Sequence, residues 1–429
     1  MKQTCVIYWF RRDLRLDDNP ALCLAMAKAR DLGVGVLPVV VKRRDTVDSL
    51  YGEIERNTHA QAWADDAEGA LAASLRERGS DLWRCESIDA LRALMRSTQA
   101  SHLYAEHIEL PYEREAQGSL SRDATWQTHF IWQSGLFDQD LLPFSLNALP
   151  KVFTAFREKI EKASLRSIAP LPEPESLVPT PLFAENSVIA RVTDSSAFKP
   201  STPGSIAHGR RSGEQAARQH WQAYLDRGLP HRYFETRNQL SGPDFSSQLS
   251  LDLAWGTLSV RRAAQMLDAF EASDGRTKSS YWLWFEWMWR EHFRWISHAY
   301  GRQIFAARGL SESAPKPTAT VNDWQRWTGG TTGHAFIDAG MHELATTGFL
   351  SNRMRQIVAS YWLNDLGGDW RAGAAWFESQ LIDDDAYSNT GNWLYIAGLG
   401  TDPRGGRRFD PDKQAKTHDP QGHYRRLWA

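Results

Sequence analysis

Gly348-Phe349-Leu350-Ser351-Asn352-Arg353-Met354-Arg355-Gln356, Asp369-Trp370-Arg371, and Leu381-Ile382-Asp383-Asp384-Asp385 running into Ser388-Asn389-Thr390-Gly391-Asn392-Trp393 are the stretches on which the reading of this chain turns. They bring Arg and Asp side chains, amides and indoles together in its last third. Twelve of the 19 Trp lie at or beyond Trp282. Trp is bulky and needs a partner for its N–H, so such crowding is an unusual way to fill a core. An indole is also an oxidisable π-system, and a column of them can carry an electron. A helical core that happens to be aromatic is the plainer reading of the same composition.

Working outward, 429 residues suffice for two or more domains with sizeable cores. Hydrophobic residues make up 42% and charged residues 24%, ordinary values for a soluble globular protein. The first residues enter a strand pattern directly, which leaves no room for a signal or transit peptide, and the expected location is the cytoplasm. No stretch approaches the roughly 18 apolar residues of a membrane span. Cys5, Cys23 and Cys85 are too few and too scattered for a disulfide framework or a zinc site, and no metal is expected. The net charge of −2 does not announce a nucleic-acid partner. Arg clusters at Arg210, Arg211, Arg218, Arg227, Arg232 and Arg237, and at Arg404, Arg407, Arg408, Arg425 and Arg426, give weak support for phosphate contacts.

Three parts follow from the pattern. Over 1–130, strands at Val6 to Phe10, Val34 to Val41, Leu82 to Cys85 and His102 to Ala105 alternate with amphipathic helices, which predicts an α/β doubly wound parallel sheet. The segment 131–208, with Pro170, Pro172, Pro174, Pro179, Pro181, Pro200 and Pro203, reads as a wrapping linker. Over 209–429 the apolar spacing is helical, which predicts an all-α domain. Gly33-Val34-Gly35 lacks the third Gly of a dinucleotide fingerprint, so a bound dinucleotide would have to sit in the helical part.

Five motifs in order carry a family resemblance. They are Trp9-Phe10-Arg11-Arg12-Asp13-Leu14-Arg15-Leu16-Asp17-Asp18-Asn19-Pro20; Leu149-Pro150-Lys151-Val152-Phe153-Thr154-Ala155-Phe156-Arg157; Glu235-Thr236-Arg237-Asn238 with Asp244-Phe245-Ser246-Ser247-Gln248-Leu249-Ser250; Phe285-Glu286-Trp287-Met288-Trp289-Arg290-Glu291-His292-Phe293; and the C-terminal set already quoted. Along nearly its whole length the chain resembles the cryptochrome/photolyase superfamily, and within it the DASH-type cryptochromes. The resemblance implies an N-terminal antenna domain, a helical domain holding FAD, and damaged DNA as partner.

Each motif also has a reading of its own. In Ser246-Ser247-Gln248-Leu249-Ser250, before a helical run, the three small hydroxylated residues offer Oγ donors and the backbone offers N–H groups to an anion, or the run simply caps the helix. By resemblance this loop grips the flavin pyrophosphate, with Tyr233, Arg237 and Arg290 nearby. Arg355 and Asp383 are an ion pair on any reading; the resemblance sets them beside the isoalloxazine ring, with Asp385 as a further polar contact. Asn389, otherwise a turn residue before Gly391, would face flavin N5. Glu286 and Trp289 stand three apart and so share one helix face. By resemblance they hydrogen-bond and stack on a damaged pyrimidine pushed out of the duplex, with Asn352 on the opposite wall. Arg237, Glu286, Trp289 and Asn352 would then contact DNA.

Trp393 and Trp370 match the inner and middle members of the family's photoreduction chain. Where the outer Trp is usual, ten residues before Trp327, this chain has Pro317. Trp324 or Tyr395 is the candidate replacement. Tyr395 is itself DASH-like, and Ser351 to Gln356 lacks the His residues that (6-4) repair requires. Glu113 in Tyr112-Glu113-Arg114 matches the residue that binds a 5,10-methenyltetrahydrofolate antenna, although Asp17 stands where a His is common. The implied function is light-driven splitting of cyclobutane pyrimidine dimers, preferably in single-stranded or looped DNA, by a monomeric deoxyribodipyrimidine photo-lyase. The competing expectation is a blue-light receptor that repairs nothing.

Overall fold

The computed structural model describes residues 5–177, 189–193, 210–242, 244–401 and 405–429. Of the residues singled out above, Pro179, Pro181, Pro200, Pro203 and Arg404 lie outside them. Strand β1 (Cys5–Phe10) is buried along its whole length, as its unbroken apolar run requires for the middle of a parallel sheet. It is flanked by β2 (Gly35–Val41). A hairpin of β3 (Thr46–Ser49) and β4 (Gly52–Glu55) follows, then β5 (Trp83–Cys85), β6 (His102–Glu106), β7 (Gln127–Ile131) and β8 (Ile189–Arg191). The six-stranded sheet runs β7-β6-β1-β2-β5-β8. Every pairing in it is parallel except β5 with β8. The strand order reverses around β1, as the expected doubly wound α/β class requires.

The linker expectation needs revision. Phe153–Lys162 forms a helix with Phe153, Phe156 and Ile160 buried, and Ile189–Arg191 supplies the antiparallel edge strand. From Arg210 onward no strand occurs among the described residues, as the helical spacing predicts.

The two parts are joined by the loop after β1. Asp13 is buried and accepts from Tyr8 Oη, from the Arg11 backbone N–H, and from Asn19 Nδ2 (3.2 Å) and Gln133 Nε2 (2.9 Å). Asn19 caps the helix Pro20–Leu32 by accepting from the Leu22 N–H. The loop's outer side meets the helical part, where the Leu14 N–H donates to Trp255 O (3.2 Å) and Arg15 Nη1 to Gly256 O (3.0 Å). Gly256 has φ +68°, and a Cβ there would lie 1.9 Å from Arg12 O, so only Gly permits this approach.

At the other end of the chain, Tyr424 on the helix His423–Leu427 is buried and donates its hydroxyl to the Glu343 carboxylate. Burial raises the Glu343 pKa to about 8, against the opposing hydrogen bond from Tyr424. A carboxyl whose folded pKa is raised gives its stability below the unfolded value and loses it as pH climbs toward the folded one. Stability is therefore expected to fall between pH ~4.5 and ~8, and Glu343→Gln to flatten that decline. Thermal midpoints of parent and variant across this range check it; parallel profiles would show that Glu343 is not the titrating group.

Candidate functional site

One cavity of about 470 Å³ opens in the helical part, within the size range of cofactor sites. Its lining includes Tyr233, Arg237, the loop Ser246 to Ser250, Glu286, Trp289, Arg290, Asn352, Arg355, Asp383, Asp385, Asn389 and Trp393. Residues from four separated motifs thus share one space.

The long helix Lys278–Tyr300 supplies one wall. Thr277 and Ser280 begin it with a reciprocal capping box. Glu286, Trp289 and Arg290 then fall within one turn on the same face. The Glu286 carboxylate accepts from Trp282 Nε1 (3.1 Å) and pairs with Arg237. Burial raises its pKa, with Arg237 and Trp282 opposing. The Trp289 ring stacks on Phe153 at 3.7 Å and 10°, so the Leu149 to Arg157 motif fixes that indole. Arg290 Nη1 donates to Ser134 O (2.8 Å), and its Nε lies 3.4 Å from Asp385.

Two capped helices supply the opposite wall. Ser351 accepts from the Met354 N–H and starts the helix Asn352–Ser360, which sets Asn352 and Arg355 one turn apart. Arg355 Nη2 reaches both oxygens of the buried Asp383 at 2.9 Å, and its Nε donates to Leu350 O (2.9 Å). Asp385 accepts from the Tyr387 and Ser388 N–H groups and starts the helix Ala386–Ala397. Asn389 and Trp393 are then one turn apart. Asn389 Nδ2 is held by Ala374 O (2.9 Å). A Cβ at Gly373 would lie 2.2 Å from the Trp393 ring, so the small residue admits the indole.

The third side is the loop before the helix Ser250–Trp255. Gln248 takes φ 55° there, a left-handed conformation rare for a residue with a side chain. Arg210 Nη1 donates to Gln248 O (3.3 Å), and the Ser247 carbonyl faces His220 Nε2 at 2.8 Å. These contacts hold the loop's carbonyls away from the space its donors would serve. Arg353 Nε and Gln356 Oε1, both in the cavity lining, are buried without a hydrogen-bond partner among the described residues. Orphaned polar atoms beside cationic and hydroxylated groups suit a polar, phosphate-bearing ligand with a flat ring. Sequence reasoning missed these two atoms, because burial is not visible in a motif.

Three expected residues stand elsewhere. Glu113 lies in the first turn of the helix Pro111–Ser121, its carboxylate paired with Arg11. Trp370 is buried, with Nε1 donating to Ala307 O (3.0 Å), and makes no ring contact among the described residues. Ring contact from Trp393 instead leads to Trp327 (6.4 Å), then to Trp324 (5.8 Å) and to Tyr51 in the β3–β4 turn, stacked on Trp324 at 4.8 Å and 16°. Trp362 also packs on Trp327 at 5.1 Å. Tyr51 has no signal in the sequence, since it reaches the column from the other domain.

Comparison with known proteins agrees with this geometry. A family model described as the FAD binding domain of DNA photolyase matches residues 282–429, and one described as DNA photolyase matches residues 6–175. Cryptochrome DASH of Vibrio parahaemolyticus is 34% identical, covering 100% of this chain and 94% of its own. Cryptochrome DASH of Gloeobacter violaceus is 35% identical over 100% of this chain and 86% of its own. Among solved structures, a cryptochrome of Synechocystis sp. PCC6803 superposes with a TM-score of 0.89 at 33% identity, covering 100% and 89% of the two chains. A class III photolyase of Agrobacterium tumefaciens gives 0.80 at 26%, covering 100% and 87%.

Asp383→Asn should leave Arg355 partly buried without its counter-charge, at a cost of roughly 2–3 kcal/mol. The expected outcome is a protein that folds but retains less FAD on gel filtration. Undiminished flavin content would separate this pair from the cofactor site.

Proposed function

The chain belongs to the cryptochrome/photolyase superfamily, DASH type, and from that premise we propose that it splits cyclobutane pyrimidine dimers in single-stranded or looped DNA. The observation that carries the reading is that Glu286 and Trp289 line the same cavity as Asn389, Trp393 and the Arg355–Asp383 pair. A lesion wall and a cofactor wall then face one space. When bound, reduced FAD would supply the light-driven electron that opening of the cyclobutane ring requires, with no net redox change. Ser246 to Ser250 bind its phosphates, Arg355 and Asp383 orient the ring edge, and Asn389 presents an amide to it. Trp289 offers the flat surface on which an extruded base stacks. Glu286 offers the polar edge, its pKa raised by burial against the opposing Arg237 and Trp282. Arg237 pairs with Glu286 and offers a cation to a backbone phosphate. Tyr112, Glu113 and Arg114 support a folate antenna on the α/β domain as part of the same reading.

A light-dependent repair assay on single- and double-stranded dimer DNA tests the proposal. Repair of the single-stranded substrate under blue light is expected. A flavin-loaded protein that repairs neither substrate would leave a photoreceptor as the better reading. Glu286→Ala should keep its FAD and lose roughly 1–3 kcal/mol of lesion binding or splitting, because the base edge loses a buried partner.

Electron supply gives a separate test. Trp393→Phe, Trp327→Phe and Trp324→Phe should each slow photoreduction of oxidised enzyme, since Phe is far harder to oxidise than Trp. Repair by chemically pre-reduced Trp324→Phe should be unaffected. If Trp370→Phe slows photoreduction while Trp327→Phe does not, the electron bypasses the ring contacts seen here.

A further inference from the structure

Outside the flavin cavity, three metal-ligating side chains converge from two parts of the fold. His107 and Glu109 lie in the segment after β6, and His298 lies near the end of the long helix Lys278–Tyr300. His107 Nε2 is 2.8 Å and His298 Nδ1 3.1 Å from the same carboxylate oxygen, Oε1 of Glu109. The three ligand atoms lie within 4.8 Å of one another.

The surroundings hold this arrangement in place. Arg114 Nη1 donates to the other oxygen of Glu109 (2.6 Å), so Oε1 alone faces the imidazoles. The Glu109 backbone N–H donates to Tyr387 Oη (2.8 Å). The Trp132 ring stacks on His298 at 4.4 Å and 23°, which fixes that imidazole's plane. The Glu109 side chain is 4% exposed, whereas the His107 and His298 side chains are 23% and 21% exposed, so the carboxylate is buried and the two imidazoles are partly open to solvent.

We propose that His107, Glu109 and His298 bind a zinc-class divalent cation, with water in the fourth position, and that this ion clamps the α/β domain to the long helix. Two imidazoles and one carboxylate oxygen are a donor set that suits zinc and its neighbours over magnesium or calcium. Tetrahedral ligands bonded at about 2.0–2.1 Å stand about 3.3 Å apart. The two separations from Glu109 Oε1, 2.8 and 3.1 Å, need to widen by a few tenths of an ångström, and the two imidazole nitrogens lie within 4.8 Å of each other. Arg114 acts as a positioning residue, because a carboxylate tied at one oxygen presents the other in a fixed direction. Its own charge is softened by solvent, its side chain being 45% exposed. The site is independent of the flavin reading, since none of its three ligands lines the flavin cavity.

The test uses the full-length flavin-loaded chain, stripped with chelator and dialysed against ZnCl2 or MgCl2. Bound metal is counted by plasma mass spectrometry, and the thermal midpoint is recorded with and without metal. One zinc per chain and a raised midpoint are expected, with magnesium giving neither. Glu109→Gln and His298→Gln keep size and hydrogen bonding but should lose both the zinc and the midpoint rise. Arg114→Ala should weaken zinc binding by about 10–100-fold. Flavin content and the metal-free midpoint report whether each variant has folded. If the parent holds no stoichiometric zinc, the three residues form a hydrogen-bonded clamp without an ion. If the Gln variants hold as much zinc as the parent, the metal is an adventitious ion only. Either result overturns the proposal.

Discussion

Everything in the helical half depends on how the helix Lys278–Tyr300 disposes of the charges it buries. Arg290, Glu291 and Arg294 all lie inside the protein. Charged groups out of water are tolerated only when paired and hydrogen-bonded. Here the partners come from elsewhere in the chain. Arg290 donates to Ser134 O, Arg294 to Gln133 O, and Glu106 at the end of β6 stands 3.7 Å from Arg294. The Arg294 guanidinium also lies 4.9 Å from the ring centres of Trp132 and Tyr387. The buried charges of the helix therefore rely on the loop after β7 for their hydrogen bonds. With those bonds made, Glu286 and Trp289, on the helix's next turn toward its start, are aimed with little freedom left.

That dependence explains which parts of the molecule could be read from sequence. The central strands were legible because a strand buried on both faces is a continuous apolar run, as in Cys5–Phe10. The cavity residues of the C-terminal stretches were legible because they follow helix starts with their own signals: Ser351 before Asn352 and Arg355, Asp385 before Asn389 and Trp393. Local capping chemistry fixes where the helix begins, and helical period then fixes which residues share a face. Convergence of these separate faces on one cavity was an inference from resemblance, and the lining of the cavity matches it.

What stayed hidden was non-local. Strand β8 has three residues and owes its existence to β5, with Cys85 opposite Ile189. Three residues between prolines carry no alternation to detect. The β3–β4 hairpin is short, largely exposed, and stabilised by packing on the helix Trp370–Gln380 rather than by its own pattern. Trp327 was noted only as a reference point for counting, because its stacking on Trp362 and its contact with Trp393 arise from helices distant in the chain. Arg353 and Gln356 stand in one of the decisive stretches but have no role there, since the burial of Arg353 Nε and Gln356 Oε1 depends on what packs over them.

The two walls of the cavity are mechanically distinct, which bears on how the protein tolerates change. The wall that carries Trp289 is rigidified from the linker side, where Phe153 stacks on Trp289 and Pro150 O faces His292 Nε2 at 3.1 Å. Burial lowers the His292 pKa to about 4, so the ring stays neutral and adds no further charge to this crowded helix. The cofactor wall is rigidified from within the helical domain, by Arg355 on Asp383 and by Asn389 on Ala374 O. Neither set of supports passes through the other. Groups further apart than about 7–10 Å and without shared partners act additively, so substitutions behind one wall need not disturb the other. Arg290 is the exception. It holds Ser134 on one side and stands against Asp385 on the other, and through it the docking of the two domains is felt at the helix that carries Asn389 and Trp393.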